Sequence, residues 1–132
     1  MPNWCSNKLI VRGRRADISE FMNLLDGVKG EHGFFDAIYP MPKNLKSPND
    51  GWYNWSLSNW GTKWDVYNSQ GEWDRLDWKD GRGVSLQFST AWSPPLEAMQ
   101  HLSEKLPKLK ITISYSDPDM MMTGKETYGP HY

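Results

Sequence analysis

The chain has 132 residues, enough for one domain with a continuous hydrophobic core but too few for two. Its formal net charge of −1 excludes the broadly basic surface of a typical nucleic-acid-binding domain, although a local basic patch is compatible with that total. Eight Trp, six Tyr and four Phe mean that a few large side chains must supply much of the buried area.

Cysteine content and hydropathy indicate the compartment. Cys5 is the single cysteine, so no intrachain disulfide can form and a reducing cytoplasm is the simplest location. The first residues lack the basic and apolar segments of a secretory signal, and no apolar run approaches membrane-spanning length. The single cysteine and the three histidines show no metal-ligand spacing. We therefore expect a soluble cytoplasmic protein with no cofactor and no metal.

The amino-terminal segment predicts a strand and a helix. Residues 4–12 alternate, with Cys5, Asn7, Leu9 and Val11 on one face, and Gly13 ends the strand. Asp17 is predicted to be the N-cap of a helix that runs to about residue 26, where Gly27 stops it.

The middle of the chain is less regular. Residues 34–39 are short and aromatic and are followed by Pro-Met-Pro, and residues 40–51 are rich in Pro, Asn and Ser. Residues 52–60 are predicted to form a short helix and residues 64–68 to begin a strand. We expect this Trp-rich insertion, at about 40–63, to cover part of the sheet face that the helices leave open.

A hairpin at about 72–90 follows. Asp80 and Gly81 predict a type I′ turn between the strands 73–79 and 82–90. Alternation directs Val84, Leu86 and Phe88 inward and Ser85, Gln87 and Ser89 outward. None of the three outward residues is aromatic. This open face therefore lacks the stacking rings and basic signature of an RNA-recognition motif.

The last part predicts a helix, a strand and a tail. Ser93 is the expected N-cap and Pro94 fits the first helical turn. Apolar residues at helical spacing from 96 to 106 precede Pro107, and residues 109–115 alternate as a strand. A turn at 117–119 opens the tail, 117–132. The order predicts a single α+β domain over 1–132, a ferredoxin-like β-α-β-β-α-β antiparallel sheet with two helices on one face.

Four motifs resemble a known family. They are Met1-Pro2-Asn3-Trp4-Cys5-Ser6-Asn7, Tyr39-Pro40-Met41-Pro42, Asn59-Trp60-Gly61-Thr62-Lys63-Trp64-Asp65 and Thr90-Ala91-Trp92-Ser93-Pro94-Pro95. In this order they resemble the YubB-type ferredoxin-like domain family, which implies that fold and an origin in a bacteriophage, a plasmid or a bacterium carrying one. The resemblance brings no catalytic residues with it.

The candidate binding residues are aromatic and basic. Indoles and a lysine around Gly61 suit either a buried aromatic corner or an exposed platform for a ligand or partner. The candidates for contact with a protein or a nucleic acid are Trp52, Trp55, Trp60, Lys63, Trp73, Trp78, Arg82 and Tyr128. No catalytic residue is predicted.

Two functions follow as hypotheses. The first is a small non-enzymatic binding protein of a phage or plasmid that acts on a host protein or ribonucleoprotein, since Trp, Tyr and Met suit interface hot spots. Counter-defence, such as inhibition of CRISPR immunity, is an analogy from the family's setting. The alternative is a single-stranded nucleic-acid-binding module that uses a Trp/Lys face, with Lys43 and Lys46 nearby. An enzyme is the third choice.

Overall fold

A five-stranded antiparallel sheet organises the protein. The computed structural model describes residues 4–29, 32–45, 51–67, 73–117 and 121–130. The strands lie in the order β2-β3-β1-β4-β5, and β3 and β4 flank β1. The elements are β1 (Trp4–Arg12), α1 (Arg15–Asp26), α2 (Phe34–Ile38), a 3-10 helix (Lys43–Leu45), α3 (Gly51–Asn59), β2 (Trp73–Asp77), β3 (Gly83–Ala91), α4 (Leu96–Lys105), β4 (Lys110–Asp117) and β5 (Met122–Tyr128).

The fold is ferredoxin-like α+β, but the predicted β-α-β-β-α-β plan is incomplete. The described residues form five strands and four α-helices. The extra helices, α2 and α3, lie between α1 and β2, and the extra strand, β5, pairs with β4 along residues 111–117. The aromatic segment 34–39 is mostly helix α2, and residues 64–67 form no strand; residue 68 lies outside the described residues.

Alternation along the strands predicted the buried face of the sheet correctly. In β1 the four inward residues are buried and the residues between them are exposed or half-buried. Val84, Leu86 and Phe88 are likewise buried on β3. Phe34 packs edge-on against Phe88, with ring centroids 5.8 Å apart, so α2 joins α1 and α4 on this face. The core is therefore a single layer between the sheet and the helices.

The predicted helix caps and hairpin turn are not those of the structure. Helix α1 begins at Arg15, so Asp17 lies in its first turn and pairs with Arg14 at 3.1 Å. Helix α4 begins at Leu96 without a side-chain cap. In the hairpin Gly81 has φ +72° but Asp80 does not have positive φ, so the predicted type I′ turn is wrong.

The Trp-rich insertion contacts the helical layer, not the open face of the sheet as predicted. Trp60 packs against Phe35 of α2 with ring centroids 6.0 Å apart, and its carbonyl accepts a hydrogen bond from the N–H of Ala98 in α4. Tyr39 stacks on His101 of the same helix. The opposite face of the sheet carries mostly polar side chains, which the strand register arranges in rows.

Candidate functional site

Five exposed aromatic side chains lie near one end of β1, and two of them, Tyr53 and Trp64, contact Lys63. Trp64 lies 6.1 Å from Trp4 between ring centroids, and the Lys63 ammonium lies 4.9 Å from the Trp64 ring and 5.8 Å from the Tyr53 ring. We call this set the aromatic surface: Trp4, Tyr53, Trp64, Tyr67 and Trp92. Exposed rings of this size beside one cation are typical of an interaction surface.

Hydrogen bonds fix the two motifs that carry this surface to each other. Gly61 has φ +83°, which glycine adopts without strain, and its carbonyl accepts a 2.5 Å hydrogen bond from the Ser93 hydroxyl. The Thr62 hydroxyl donates to the carbonyl of Ala91 at 2.9 Å. Ser93, predicted as a helix cap, thus joins the two motifs instead.

A buried polar network supports the second motif from the sheet. The Asn7 amide donates to the Thr90 hydroxyl at 3.0 Å and to the carbonyl of Cys5 at 3.1 Å. The Thr90 hydroxyl donates in turn to the carbonyl of Ser93 at 2.7 Å. Cys5 is fully buried, as its place on the inward face predicted, and burial raises the pKa of its thiol. A thiol in this state is a poor nucleophile.

Trp92 is held in a strained backbone conformation. Its φ is +71°, which a bulky residue rarely adopts, and the N–H of Ser93 donates to the carbonyl of Ala91 across it at 2.9 Å. The residue is nevertheless 46% exposed, so the strained turn does not bury the indole fully. Strain of this kind costs about 1–3 kcal/mol and concentrates at functional sites.

A cleft of about 350 Å³ opens beside the aromatic surface. Its lining residues are Asp36, Met41, Trp52, Trp60, Lys63, Trp64, Asp65 and Tyr67. Trp60 forms its base: its indole N–H donates to the carbonyl of Tyr39 at 2.9 Å, and only 4% of the residue is exposed. Planar apolar walls with few polar groups are typical of ligand and peptide sites.

Asp65 lies at the cleft and caps helix α2 from a distant part of the chain. Its carboxylate accepts hydrogen bonds from the N–H groups of Phe35, Asp36 and Val66 at 2.7, 3.0 and 2.7 Å. Burial raises the pKa of Asp65 to about 6, although the three N–H donors act in the opposite direction. Gly33 is required beside it, because a Cβ there would lie 2.0 Å from a carboxylate oxygen.

A second aromatic group lies on the α4 side of Trp60. Tyr39 stacks on His101 with centroids 3.8 Å apart and planes 9° apart, and it lies 5.8 Å from Trp55 with planes 17° apart. His101 lies off the apolar stripe of helix α4, a position that the sequence pattern alone would leave in solvent. The stacked tyrosine half-buries it instead.

The structure distributes the predicted site residues over several places. Trp52, Trp60 and Lys63 line the cleft, and Trp55 contacts Trp60 edge-on at 5.2 Å. Trp73 belongs to the core, where it packs against Phe34 and is 7% exposed. Little of the Trp60 or Trp73 indole therefore remains for a partner to contact.

The other three predicted residues lie away from the cleft. Trp78 and Arg82 lie together at the β2–β3 turn, beside the end of β1. Tyr128, on β5, is half-buried, and its hydroxyl donates to the carbonyl of Leu96 at 3.3 Å. Burial raises the pKa of Tyr128 to about 12. Lys46, which was predicted beside the Trp/Lys face, lies outside the described residues.

The candidate residues predicted from the sequence include none of the five members of the aromatic surface, although Trp64 is one of the indoles considered around Gly61. Trp4 and Trp92 lie in two of the singled-out motifs, and alternation places Trp4 on the outward face of β1, but no local pattern indicates that Trp64 packs beside Trp4. Tyr53 and Tyr67 carry no signal of their own. Their exposure depends on how the insertion packs against α2 and α4, a tertiary contact.

The comparison with family models decides the classification. The model described as "Ferredoxin-like domain in Api92-like protein" matches residues 62–130, which is more than half of the chain. The chain belongs to this Api92-like family. The match includes the hairpin, α4, β4 and β5, together with the second motif of the aromatic surface.

A solved structure has the same fold. It is the crystal structure of a protein api92 from Yersinia pseudotuberculosis, with a TM-score of 0.67 and 10% sequence identity, covering 98% of this chain and 95% of that one. At this identity the likeness concerns the fold alone. A comparison with curated proteins returns no match. Among the described residues of this Api92-like domain, no helix is long and apolar enough to cross a membrane.

Proposed function

We propose that this Api92-like domain is a non-catalytic binding module that engages a protein partner through the aromatic surface. The observation that carries the proposal is Trp92, an exposed indole held at φ +71° by the hydrogen-bonded turn at 91–93. The hydrogen bonds of Ala91 and Ser93 maintain this strained turn, which leaves nearly half of Trp92 exposed in the free protein. Binding that buries the indole would recover the cost, since Trp and Tyr are the commonest hot-spot residues.

Pre-organisation of the surface supports a protein partner. The two motifs are joined by the hydrogen bonds of Ser93 and Thr62, so few side chains would lose freedom on binding. Lys63 lies over two of the rings and adds a charge at the centre of the patch. Trp and Tyr are enriched at the core of protein interfaces whereas lysine is depleted there, so it is the rigid aromatic rings that favour a protein partner.

The polar groups of the cleft support binding in preference to catalysis. The Asp65 carboxylate accepts three backbone N–H groups, and a carboxylate oxygen of Asp36 accepts the N–H of Met41 at 2.9 Å. Both carboxylates thus help to hold α2 and the chain after it. Acid–base catalysis needs groups directed at a substrate, so we assign these two residues to structure.

The biological setting that we propose rests on the motif resemblance. A YubB-type domain of phage or plasmid origin would act in the bacterial cytoplasm, on a host protein or ribonucleoprotein. Within that setting, we propose that the surface inhibits a host defence complex. This part of the proposal is an analogy with the setting of the family.

The test is affinity capture from a bacterial lysate, with and without nuclease, read by mass spectrometry. Three baits are compared: the wild type, a Tyr53→Ala/Trp64→Ala variant of the aromatic surface, and a Leu76→Ala/Met121→Ala control. Leu76 and Met121 are 65% and 92% exposed and lie outside the aromatic surface, so the control also removes exposed apolar area. We expect a nuclease-resistant partner that the first variant loses and the control retains, since hot-spot truncation costs about 2 kcal/mol or more.

Two results would contradict the proposal. A partner retained equally by all three baits would place the interface elsewhere on the domain. A partner set that disappears on nuclease treatment would indicate that nucleic acid, and not protein, is what this domain binds. Circular dichroism of the three baits establishes that each is folded.

A further inference from the structure

A second surface, at the other end of β1, concentrates positive charge. Two adjoining cavities of about 400 and 490 Å³ share Gly13, Arg82 and Lys108 among their lining residues. We call their cationic residues the basic cleft: Arg12, Arg14, Arg82, Lys108 and Lys110. This is a third of the chain's fifteen Lys and Arg residues in a protein of net charge −1. None of these five cations belongs to the aromatic surface or lines the cleft beside it.

The carboxylates within this cleft are already engaged. Asp17 pairs with Arg14 at 3.1 Å, and the side chain of Asp80 accepts the backbone N–H of Arg82 at 2.9 Å. Among the residues that the structure describes, no carboxylate lies within ion-pairing distance of Arg12, Arg82 or Lys110. The cleft therefore has an uncompensated positive charge that is available to an anion.

Strand register places two of these cations directly opposite each other. Arg12 of β1 pairs with Lys110 of β4, and both are exposed on the face away from the helices. Like charges at directly opposite positions of an antiparallel pair are destabilising. An anion that bridges the two would remove this repulsion, as a phosphate group can.

An indole lies beside the cations on the same face. The six-membered ring of Trp78 covers Gly83, where a Cβ would lie 2.5 Å from the ring, and its N–H donates to the Ser85 hydroxyl at 3.0 Å. The Arg12 guanidinium lies 5.7 Å from the Trp78 ring. Gly83 thus allows a tryptophan from the turn to lie flat on the open sheet face, an aromatic ring that β3 itself does not supply.

Beyond the basic cleft, the open face of the sheet carries further polar side chains. Next to the Arg12 row, the register aligns Ser85, Ile10, Thr112 and Thr127, and the following row aligns Gln87, Lys8, Ser114 and Lys125. Two further lysines therefore lie four residues along the strands from the Arg12 row, between hydroxyl and amide groups. Lysines and hydroxyls are the usual partners of phosphate and sugar oxygens.

We propose that the basic cleft and the adjoining open sheet face bind single-stranded nucleic acid. The cations contact successive phosphates, and the Trp78 ring stacks a base. A single strand fits because stacking on the half-buried Trp78 ring, one face of which covers Gly83, needs an unpaired base, whereas a duplex hides its base faces. The residues involved differ from those of the aromatic surface, so this inference does not depend on the protein-binding function proposed above.

Fluorescence anisotropy with a labelled oligodeoxythymidylate of about 15 nucleotides tests the proposal. The charge variant is Arg12→Ala/Lys110→Ala, and the matched control is Lys29→Ala/Lys105→Ala, which removes two exposed cations that do not line the cleft. At about 50 mM salt we expect the charge variant to bind roughly tenfold more weakly and its salt slope to flatten by about 1.4, for two lost phosphate contacts. The control should bind as the wild type does.

The stacking step has its own variants. Trp78→Ala should weaken binding about tenfold, whereas Trp78→Phe, which keeps a ring, should retain most of the affinity. A duplex of the same length and inorganic polyphosphate serve as competitors. We expect both to compete less well than the unlabelled single strand.

Four results would overturn the inference. They are no binding of the oligomer at about 50 mM salt, equal losses in the charge variant and its control, preference for the duplex, and equal binding of polyphosphate with no effect of Trp78→Ala. The last would leave a simple anion site in place of a nucleic-acid site. If the aromatic surface captured no protein partner, these four results would keep their meaning, because the basic cleft consists of different residues.

Discussion

The carboxylate of Asp65 should make the stability of this domain depend on pH in an unusual direction. Burial raises its pKa from the ordinary 3.8 to about 6, so the folded state binds the proton more tightly than the unfolded state. The stabilisation is therefore complete below about pH 3.8 and is lost as the pH rises through about 6. The separation of the two pKa values corresponds to about 3 kcal/mol of unfolding free energy.

The perturbation is Asp65→Asn, which removes the titration and keeps the size of the side chain. One amide oxygen can still accept the N–H groups of Phe35 and Val66, but the amide nitrogen faces the N–H of Asp36. That loss should cost about 1–3 kcal/mol at every pH. The quantity of interest is therefore how the difference between wild type and variant changes with pH.

Urea unfolding of both proteins between about pH 4 and pH 8 measures this difference. We expect the wild type to lose stability relative to Asp65→Asn as the pH rises, by up to about 3 kcal/mol, mostly between pH 4 and 6.5. Asp74→Asn, at an exposed position of β2, controls for the removal of one negative charge. Its difference from the wild type should stay nearly constant.

The opposite trend would refute the reasoning. If the wild type gained stability relative to Asp65→Asn as the pH rose, the three N–H donors would outweigh burial, and the pKa of Asp65 would lie below its ordinary value. A flat difference would mean that the two effects cancel. Either result would make Asp65 an ordinary charged cap of helix α2.

Three further substitutions test other parts of the structure. Gly33→Ala should destabilise the domain by about 2 kcal/mol or more, measured by urea unfolding, because the new Cβ would collide with the Asp65 carboxylate. Trp92→Gly should leave stability equal or up to about 1 kcal/mol higher, by relief of the positive φ, while it abolishes partner capture; a clear loss of stability would contradict the strain argument. Lys110→Thr should raise stability by about 0.2–1 kcal/mol at low salt, an increase that vanishes at high salt if repulsion from Arg12 is its cause.

Sequence pattern alone determined the inward faces of the sheet. Strict alternation in β1, β3 and β4 identified their buried residues, since a strand presents one face to the core and every second side chain follows it. Helical spacing located α1, α3 and α4 to within a few residues for the same local reason. The four motifs indicated the family resemblance in the same way, without any long-range contact.

Helix α2 shows why the middle of the chain could not be predicted. Its five residues are too few to be stable alone, and its N-terminal N–H groups are capped by Asp65, which lies 30 residues beyond Phe35. Similarly, Ser93 has the residue type of a helix cap, but its hydroxyl donates to Gly61, 32 residues away. A local pattern contains no information on such partners.

Tertiary contacts determine which residues come together at each of the two proposed surfaces. The sequence named Trp73, Trp78 and Lys63 as equivalent candidates, yet packing buried the first, laid the second on Gly83 and placed the third among exposed rings. Arg12 and Lys110 are 98 positions apart in the sequence, and only the register of β1 on β4 brings their charges together. Residue types establish which chemistry is available, whereas strand pairing and packing between distant segments decide which groups meet and which remain exposed.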